Sequence, residues 1–348
     1  LVEIARTRGV TEAEVALAWL LGLGEHVVAI PGARTAETAR SAARAGSLEL
    51  TRDESARIAP SRPPARRAAT HGDIVLVMGV PGAGKSRLAG DYVDRGYVRL
   101  NRDERGGSLR ELAGALDLAL ADGSREVVLD NTYLTRASRS YVVEAAGRHG
   151  VAARCIWLDA PLAQAQVNLV ERLLDRFGEL PTPARLKAIA QVEPGLLTPT
   201  QQMRTFRELE PPAEDEGFAS VEHIAFARDP GTGTAGVFVA AAAIGALPLA
   251  DVDHGVPHLV FDWRPGGGGA DLAAAVAVAA RTVSGSLEAA ICPHPGGPPI
   301  CWCRPPLPGL LLAFARAHGV DPAHSLVIGA STAHRTLANA LGATYVET

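Results

Sequence analysis

Two groups of residues in this chain have types and spacing that could do chemistry. The first is Gly79-Val80-Pro81-Gly82-Ala83-Gly84-Lys85-Ser86, followed by Arg87, which fills every fixed position of the GxxxxGK[ST] pattern. Gly82 and Gly84 can take backbone angles closed to other residues, so successive N–H groups turn inward and cradle phosphate oxygens at the start of a helix. Lys85 then reaches the β- and γ-phosphates of ATP, and the Ser86 hydroxyl completes a Mg²⁺ shell. A plain glycine-rich turn opening a βα unit is the competing reading. The second group is Cys292-Pro-His294 with Cys301-Trp-Cys303. Three thiols and an imidazole, closely paired, match a closed tetrahedral Zn²⁺ site, structural because no position is left for water. Chance clustering of buried free cysteines competes with it.

The elements that must position these groups follow from the pattern of apolar residues. Ile74 to Met78 is an apolar run leading straight into the glycine loop, and apolar runs then alternate with helical patterns. Strands are expected at 74–78, 97–100, 126–129, 154–158 and 221–226, with helices at 85–95, 108–121, 135–149, 161–177 and 183–191. That alternation predicts an α/β fold with a parallel sheet, whose active groups sit at the carboxyl ends of the strands. Two ends are chemically loaded, Asn101-Arg102-Asp103-Glu104-Arg105 and Asp130-Asn131-Thr132. Transfer of a phosphoryl group to a hydroxyl needs a carboxylate to take the proton and cations to neutralise the transferred charge. Asp103 fits the first role, and an ion pair with Arg102 or Arg105 is the alternative. Arg172 and Arg176, spaced i,i+4, share one helical face and fit the second; pairing with Glu171 or Asp175 is their alternative.

Composition narrows the function classes. The 348 residues include 34 Lys and Arg and 38 Asp and Glu, a net charge of −4, so any nucleic-acid contact must come from a local basic patch. Lys85 and Lys187 are the only lysines among those 34 basic residues. Elsewhere arginine serves, but a forked guanidinium cannot replace a slim ammonium threaded through a backbone loop. No apolar run approaches the length of a membrane span and nothing resembles a secretory signal, so a cytoplasmic protein is expected.

Three stretches carry family resemblances. GVPGAGKS, LNRDERGGS and VVLDNTYLTRASRSYVVEAAGRHG, in order over most of 73–177, resemble the kinase domain of polynucleotide 5′-kinases. The resemblance implies that Asp103 is the general base on a 5′-hydroxyl of RNA or DNA. It makes Arg105 the nearest candidate for holding the substrate phosphate, and places Asp130, Asn131 and Thr132 at the acceptor side and metal shell. It also implies that Arg172 and Arg176 belong to a lid closing over ATP. Kinases of small molecules in the same class carry a carboxylate at the same strand end, and a non-catalytic ATP-binding switch is a third reading.

The loop from Cys292 to Cys303 resembles the zinc loop of phosphatases in the haloacid-dehalogenase-like superfamily, with strands expected at 236–240, 258–262, 287–291 and 325–328. Its catalytic positions look emptied. The first strand runs into Ala241-Ala-Ala, Pro305 stands at the expected lysine, and Ala330 and His334 stand at the acidic pair. A zinc-stabilised pseudophosphatase is therefore expected, serving as scaffold or nucleic-acid-end docking module. Residues 1–59 resemble the C-terminal end of aldo/keto reductases, with a helix at 12–23, a short buried strand and turn over 25–34, and a helix at 35–45. That family's adenosine-phosphate contact would fall near Arg34. No tyrosine precedes Tyr92 and no lysine precedes Lys85, so reductase chemistry is not expected, and Leu1 at the first position agrees with a truncated fusion. The Pro- and Arg-rich segment 60–72 reads as a linker, giving domains at 1–59, 73–228 and 229–348.

Overall fold

The computed structural model describes residues 1–24, 27–32, 35–58, 72–228, 231–245 and 255–348. Most of the expected linker and Arg34 lie outside them. The chain divides into two compact units, Leu1–Ala68 and Ala69–Thr348.

The first unit is helical: α1 (Val2–Arg8), α2 (Glu12–Leu21), α3 (Ala36–Ala45) and α4 (Arg52–Ile58). Thr11 and Thr35 cap α2 and α3 through their hydroxyls. Thr51 accepts from the Glu54 N–H at 3.2 Å ahead of α4, as its spacing predicts. Ile4, Ala5 and Val15 form a small core. The buried strand expected over 25–34 is a correction: residues 27–32 carry no strand, and Val28 and Ile30 are 79% and 92% exposed. Strand propensity becomes a strand only against a pairing neighbour, and no described residue of this unit pairs with the segment.

The second unit holds two parallel five-stranded sheets. The first is built from β1 (Asp73–Met78), α5 (Lys85–Val93), β2 (Val98–Leu100), α6 (Arg102–Arg105), α7 (Leu109–Ala121), β3 (Glu126–Asp130), α8 (Arg136–Arg148), β4 (Ala153–Asp159), α9 (Leu162–Phe177), α10 (Pro183–Val192), α11 (Pro199–Arg207) and β5 (Val221–Ala225). Its strand order is β2-β3-β1-β4-β5. The central β1 is apolar and almost wholly buried because helices cover both faces. The chain leaves β1 in one direction for β2 and β3 and in the other for β4 and β5, so a crevice opens at the carboxyl end of β1. The phosphate loop begins there.

The second sheet comprises β6 (Val237–Ala240), β7 (His258–Trp263), α12 (Ala270–Ala279), β8 (Leu287–Cys292), α13 (Gly309–His318), β9 (Leu326–Gly329), α14 (Thr332–Leu341) and β10 (Thr344–Glu347). Its order is β10-β9-β6-β7-β8, parallel throughout. The observed fold class is thus the expected one, α/β with parallel sheets. One apolar cluster joins the two sheets: Leu169, Leu173 and Leu174 of α9 pack with Phe238, Phe261 and Leu311. No helix is long and apolar enough to cross a membrane among the described residues.

Candidate nucleotide site and metal loop

Three glycines give the phosphate loop its path. Gly79, Gly82 and Gly84 have φ of 148°, 91° and 92°, and a Cβ on Gly82 would lie 2.4 Å from the carbonyl oxygen of Ala165. That conformation and that closeness admit no other residue without rebuilding the loop. Gly84 ends the loop as the N-cap of α5, so the free N–H groups and positive dipole end of α5 face the cradle. Ser86 stands exposed on the first turn.

Lys85 folds back across the loop, its Nζ donating to the carbonyls of Gly79 at 3.0 Å and Val80 at 2.9 Å. Burial and then the nearby positive charge of Arg172 pull the Lys85 ammonium down to about 8, against the opposing pull of Asp130 and Asp103. Those four side chains, separated by up to 87 residues in sequence, therefore share one electrostatic neighbourhood. A phosphate oxygen arriving beside Nζ favours its charged form. Nucleotide binding is thus expected to take up protons, from about 0.1 per site at pH 7 to about 0.9 at pH 9, by linkage to a group near 8. Calorimetry in buffers of unlike ionisation enthalpy reads this directly, and zero uptake at pH 9 would contradict the placement of Lys85.

The carboxyl ends of β2 and β3 are organised by Asp130. Its carboxylate receives a two-pronged bond from Arg99, at 2.9 and 2.7 Å, and a third from Asn101 Nδ2 at 2.9 Å. Both oxygens are so occupied that Asp130 acts on the site through its charge and through these partners. Asn101 in turn caps α6, its Oδ1 accepting from the N–H of Asp103 at 2.7 Å, which fixes where the Asp103 side chain starts. The Asp103 carboxylate is 41% exposed, with Arg102 loosely opposite at 3.6 Å, so the ion pair weighed against a catalytic role exists but leaves the carboxylate open. Asn131 is buried, accepts from the Arg102 N–H at 3.3 Å, and has a side-chain N–H without a partner among the described residues. The Thr132 carbonyl accepts from the Gly79 N–H, tying this loop to the phosphate loop. Arg105 stands exposed at the end of α6.

Arg172 and Arg176, both on α9, part company. Arg172 lies close enough to Lys85 for its charge to act there, whereas Arg176 reaches Glu193 at 3.4 Å. The acids proposed as their alternative partners are engaged elsewhere, Glu171 with Arg228 and Asp175 with Arg316. Two residues that sequence reasoning passed over hold the loop from above. Asn168 Nδ2 donates to the Gly82 carbonyl at 2.7 Å, and Gln202 Nε2 to the Pro81 carbonyl at 3.1 Å. Gln202 is fully buried. A polar residue on the inner face of a helix was the available signal.

The acidic run Glu214–Glu216 supports the same region. Glu216 pairs at 2.6 Å with Arg139, which is fully buried and donates to the Tyr133 carbonyl at 3.0 Å. The ion pair thereby braces the turn that follows Asn131 and Thr132. Tyr133 is the one described non-glycine residue with positive φ, 44°, so this turn is held in a conformation the chain would not adopt unaided.

On the second sheet, Cys292 Sγ lies 3.5 Å from His294 Nδ1, 3.7 Å from Cys301 Sγ and 3.2 Å from Cys303 Sγ, and His294 Nδ1 lies 3.1 Å from Cys303 Sγ. All four donor atoms fall within 4.8 Å of one another. Donors 2.0–2.3 Å from a tetrahedral centre stand about 3.3–3.8 Å apart; the four separations above lie at or near that range, so the set could hold a metal ion of this kind. At the strand ends nearby, β6 runs into a short turn over Ala241–Ala243. Asp262 is held by Arg264 at 2.6 Å, and His334 Nδ1 accepts from the Ala330 N–H at 3.2 Å.

Two segments of the chain match known families. Residues 74–194 match the family model described as an AAA domain, and residues 1–61 that of the aldo/keto reductase family. Over 157 residues the chain is 29% identical to a bifunctional polynucleotide phosphatase/kinase of Schizosaccharomyces pombe, an alignment covering 45% of this chain and 34% of that protein. The chain thus spans about a third of the length of this curated relative. Among solved structures, a fungal RNA kinase aligns with a TM-score of 0.35 at 15% identity, covering 47% of this chain and 80% of that one. A gluconokinase from Sinorhizobium meliloti 1021 aligns with a TM-score of 0.29 at 21% identity, covering 46% and 86%. Residues 74–194 are a P-loop kinase-like module.

Proposed function

We propose that the first α/β half transfers the γ-phosphoryl group of ATP to the 5′-hydroxyl of an RNA or DNA end. The observation that carries this reading is that Asp103 and Asp130, at the carboxyl ends of β2 and β3, and Arg172 of α9 all lie close enough to act on the charge of Lys85 at the end of β1. Bound ATP would lie with its phosphates on the N–H groups of the Gly79–Ser86 loop, Arg87 flanking the helix start, and Mg²⁺ would take the Ser86 hydroxyl and supply charge neutralisation. Lys85 and Arg172 offset the charge of the transferred group, while Arg176, bound to Glu193, stands one turn further out. Asp103 accepts the proton of the attacking hydroxyl. Asn131, with its unsatisfied side-chain N–H, and Arg105 face the acceptor's task of being held.

Arg102, Arg105 and Arg110 stand along α6 and the start of α7, interleaved with Asp103, Glu104 and Glu111, so this edge offers cations without a net positive charge. An exposed carboxylate with exposed arginines beside it suits an extended phosphate-bearing acceptor better than a metabolite that needs an enclosed apolar pocket. The relative from S. pombe supports the same acceptor class. Incubation with labelled ATP, a set of 5′-hydroxyl oligonucleotides and a panel of small alcohols tests it. Label on oligonucleotide 5′ ends is expected; label only on a metabolite would remove the acceptor, and ATP binding without any labelled product would leave a switch module.

The second half reads as a zinc-stabilised pseudophosphatase. Its Cys₃His loop is expected to hold one zinc per chain, and metal content of the purified protein checks this. Binding of a structural zinc is folding free energy. Stripping it, or Cys301→Ser, is therefore expected to lower the unfolding temperature by roughly 5–10 °C, on the scale of about 2–4 °C per kcal/mol for a unit of this size. Purified protein without bound metal would end the assignment.

A further inference from the structure

The helices over the phosphate loop touch the metal loop. Trp302, between two of the cysteines and almost fully buried, donates its indole N–H to the Leu197 carbonyl at 3.1 Å. Thr200 donates to the Pro299 carbonyl at 2.8 Å, and Leu180 packs directly on the cysteine cluster. The segment from 178 to 200, which carries α10 and links α9 to α11, is thus seated on the loop that runs from Cys292 to Cys303. From the same helices, Asn168 and Gln202 reach down to the phosphate loop, and Arg172, whose guanidinium lies beside Gly195 of the seated segment, is close enough for its charge to act on Lys85. Further along, Gln164 of α9 donates to the Ala340 carbonyl at 3.0 Å, and the inner face of α9 is part of the second sheet's core.

A lid that must open and close is ordinarily attached by its hinges and free elsewhere. Here its apolar face is committed to a second sheet. The geometry points to a role for that sheet in the transfer reaction: the metal loop, through Trp302, is a positioning device that holds Arg172, Asn168 and Gln202 over the phosphate loop. This rests on the nucleotide-binding reading above and assigns the second half a task other than catalysis or docking. Closure is then set in advance rather than achieved at each turnover, and loss of the metal loop's shape frees the lid without touching a phosphate contact.

A nucleotide carrying a fluorescent ribose substituent, with Mg²⁺ in excess, separates the possibilities. Measurements compare zinc-loaded protein, protein stripped of zinc and dialysed, stripped protein reloaded with zinc, Trp302→Phe and Thr200→Val. The phenylalanine keeps most of the apolar body and removes the N–H; Thr200 is exposed, so Thr200→Val folds whatever happens at Trp302. Nucleotide release is expected to quicken about tenfold on stripping and to recover on reloading. Turnover is expected to fall roughly 10- to 100-fold with stripping or Trp302→Phe, as small misplacements of a charged group do, and about threefold with Thr200→Val. The acceptor KM stays level, because nothing on the acceptor side has moved. Proton uptake at pH 9 falls as well, since withdrawing Arg172 lets the Lys85 ammonium persist in the free protein. Equal release rates and equal proton uptake in stripped protein and in both variants would overturn the proposal. Failure of the loaded protein to bind nucleotide at all would instead strike the underlying reading.

Discussion

Asp103→Asn is expected to lower turnover by roughly 10²–10⁴-fold, the range a positioned general base supplies, with nucleotide affinity changed by no more than about twofold. The side chain keeps its size, and Asp103 is half exposed on a one-turn helix whose capping bond comes from the backbone N–H to Asn101. Surface replacements of this kind move stability within about 0.5 kcal/mol. What changes is the proton acceptor. Removing this negative charge also takes away one of the two influences that hold the Lys85 ammonium up, so proton uptake on nucleotide binding should begin at lower pH than in the parent protein. A labelled-ATP assay and calorimetry on the same preparation separate the two effects. Unchanged turnover would return Asp103 to the role of partner to Arg102, and turnover lost together with nucleotide affinity would mean that the acceptor side had collapsed instead.

How far the sequence could be read depended on the range of the interactions. Gly79 to Ser86 was legible because its chemistry is local: the glycines, the lysine and the helix start lie within eight residues and each has one physical job. That Cys292, His294, Cys301 and Cys303 gather in one place was legible for the same reason. Asp103 was identified as an acid at a strand end, but Asn101 and Arg99, which position it and its neighbour Asp130, were not, because their partner lies about thirty residues away on β3. Asn168 and Gln202 were further out of reach: their carbonyl acceptors are 86 and 121 residues distant. The helix α11 had a local signal that went unused, Thr198 as cap, Pro199 at the first turn and Gln201 completing the capping box. The last strand, β10, pairs only along β9 at an edge and has four residues, too few for alternation to stand out.

The segment 25–34 teaches the opposite lesson. Its apolar residues match the aldo/keto reductase pattern, and residues 1–61 do match that family, yet Val28 and Ile30 face outward. A sequence can keep the pattern of a buried strand while the structure offers it no sheet to join. The resemblance held and the secondary structure did not.

Lys85→Met should have the other large effect: nucleotide affinity lowered at least about 30-fold, since removing one member of a buried charged pair costs about 2–5 kcal/mol, and turnover lowered further. Methionine preserves the unbranched stem through the loop and deletes only the ammonium. Stability should move the other way or barely at all. Burial holds the folded-state lysine at about 8, below its ordinary value near 10.4, so at neutral pH the folded protein bears the cost of a charge it disfavours. The sign follows from proton counting. Between about pH 8 and 10 the unfolded chain binds the extra proton, so the parent protein gains stability as pH rises through that window and the methionine variant does not. Against this gain stands the loss of a donor for the Gly79 and Val80 carbonyls, an opposing cost of about 1–3 kcal/mol for an unsatisfied buried acceptor. The expected outcome at pH 7 is an unfolding temperature within a few degrees of the parent, with added ATP and Mg²⁺ no longer raising it. A variant that unfolds outright would show that Lys85 braces the loop rather than awaiting a phosphate, and one that ATP still stabilises fully would take the triphosphate away from this loop.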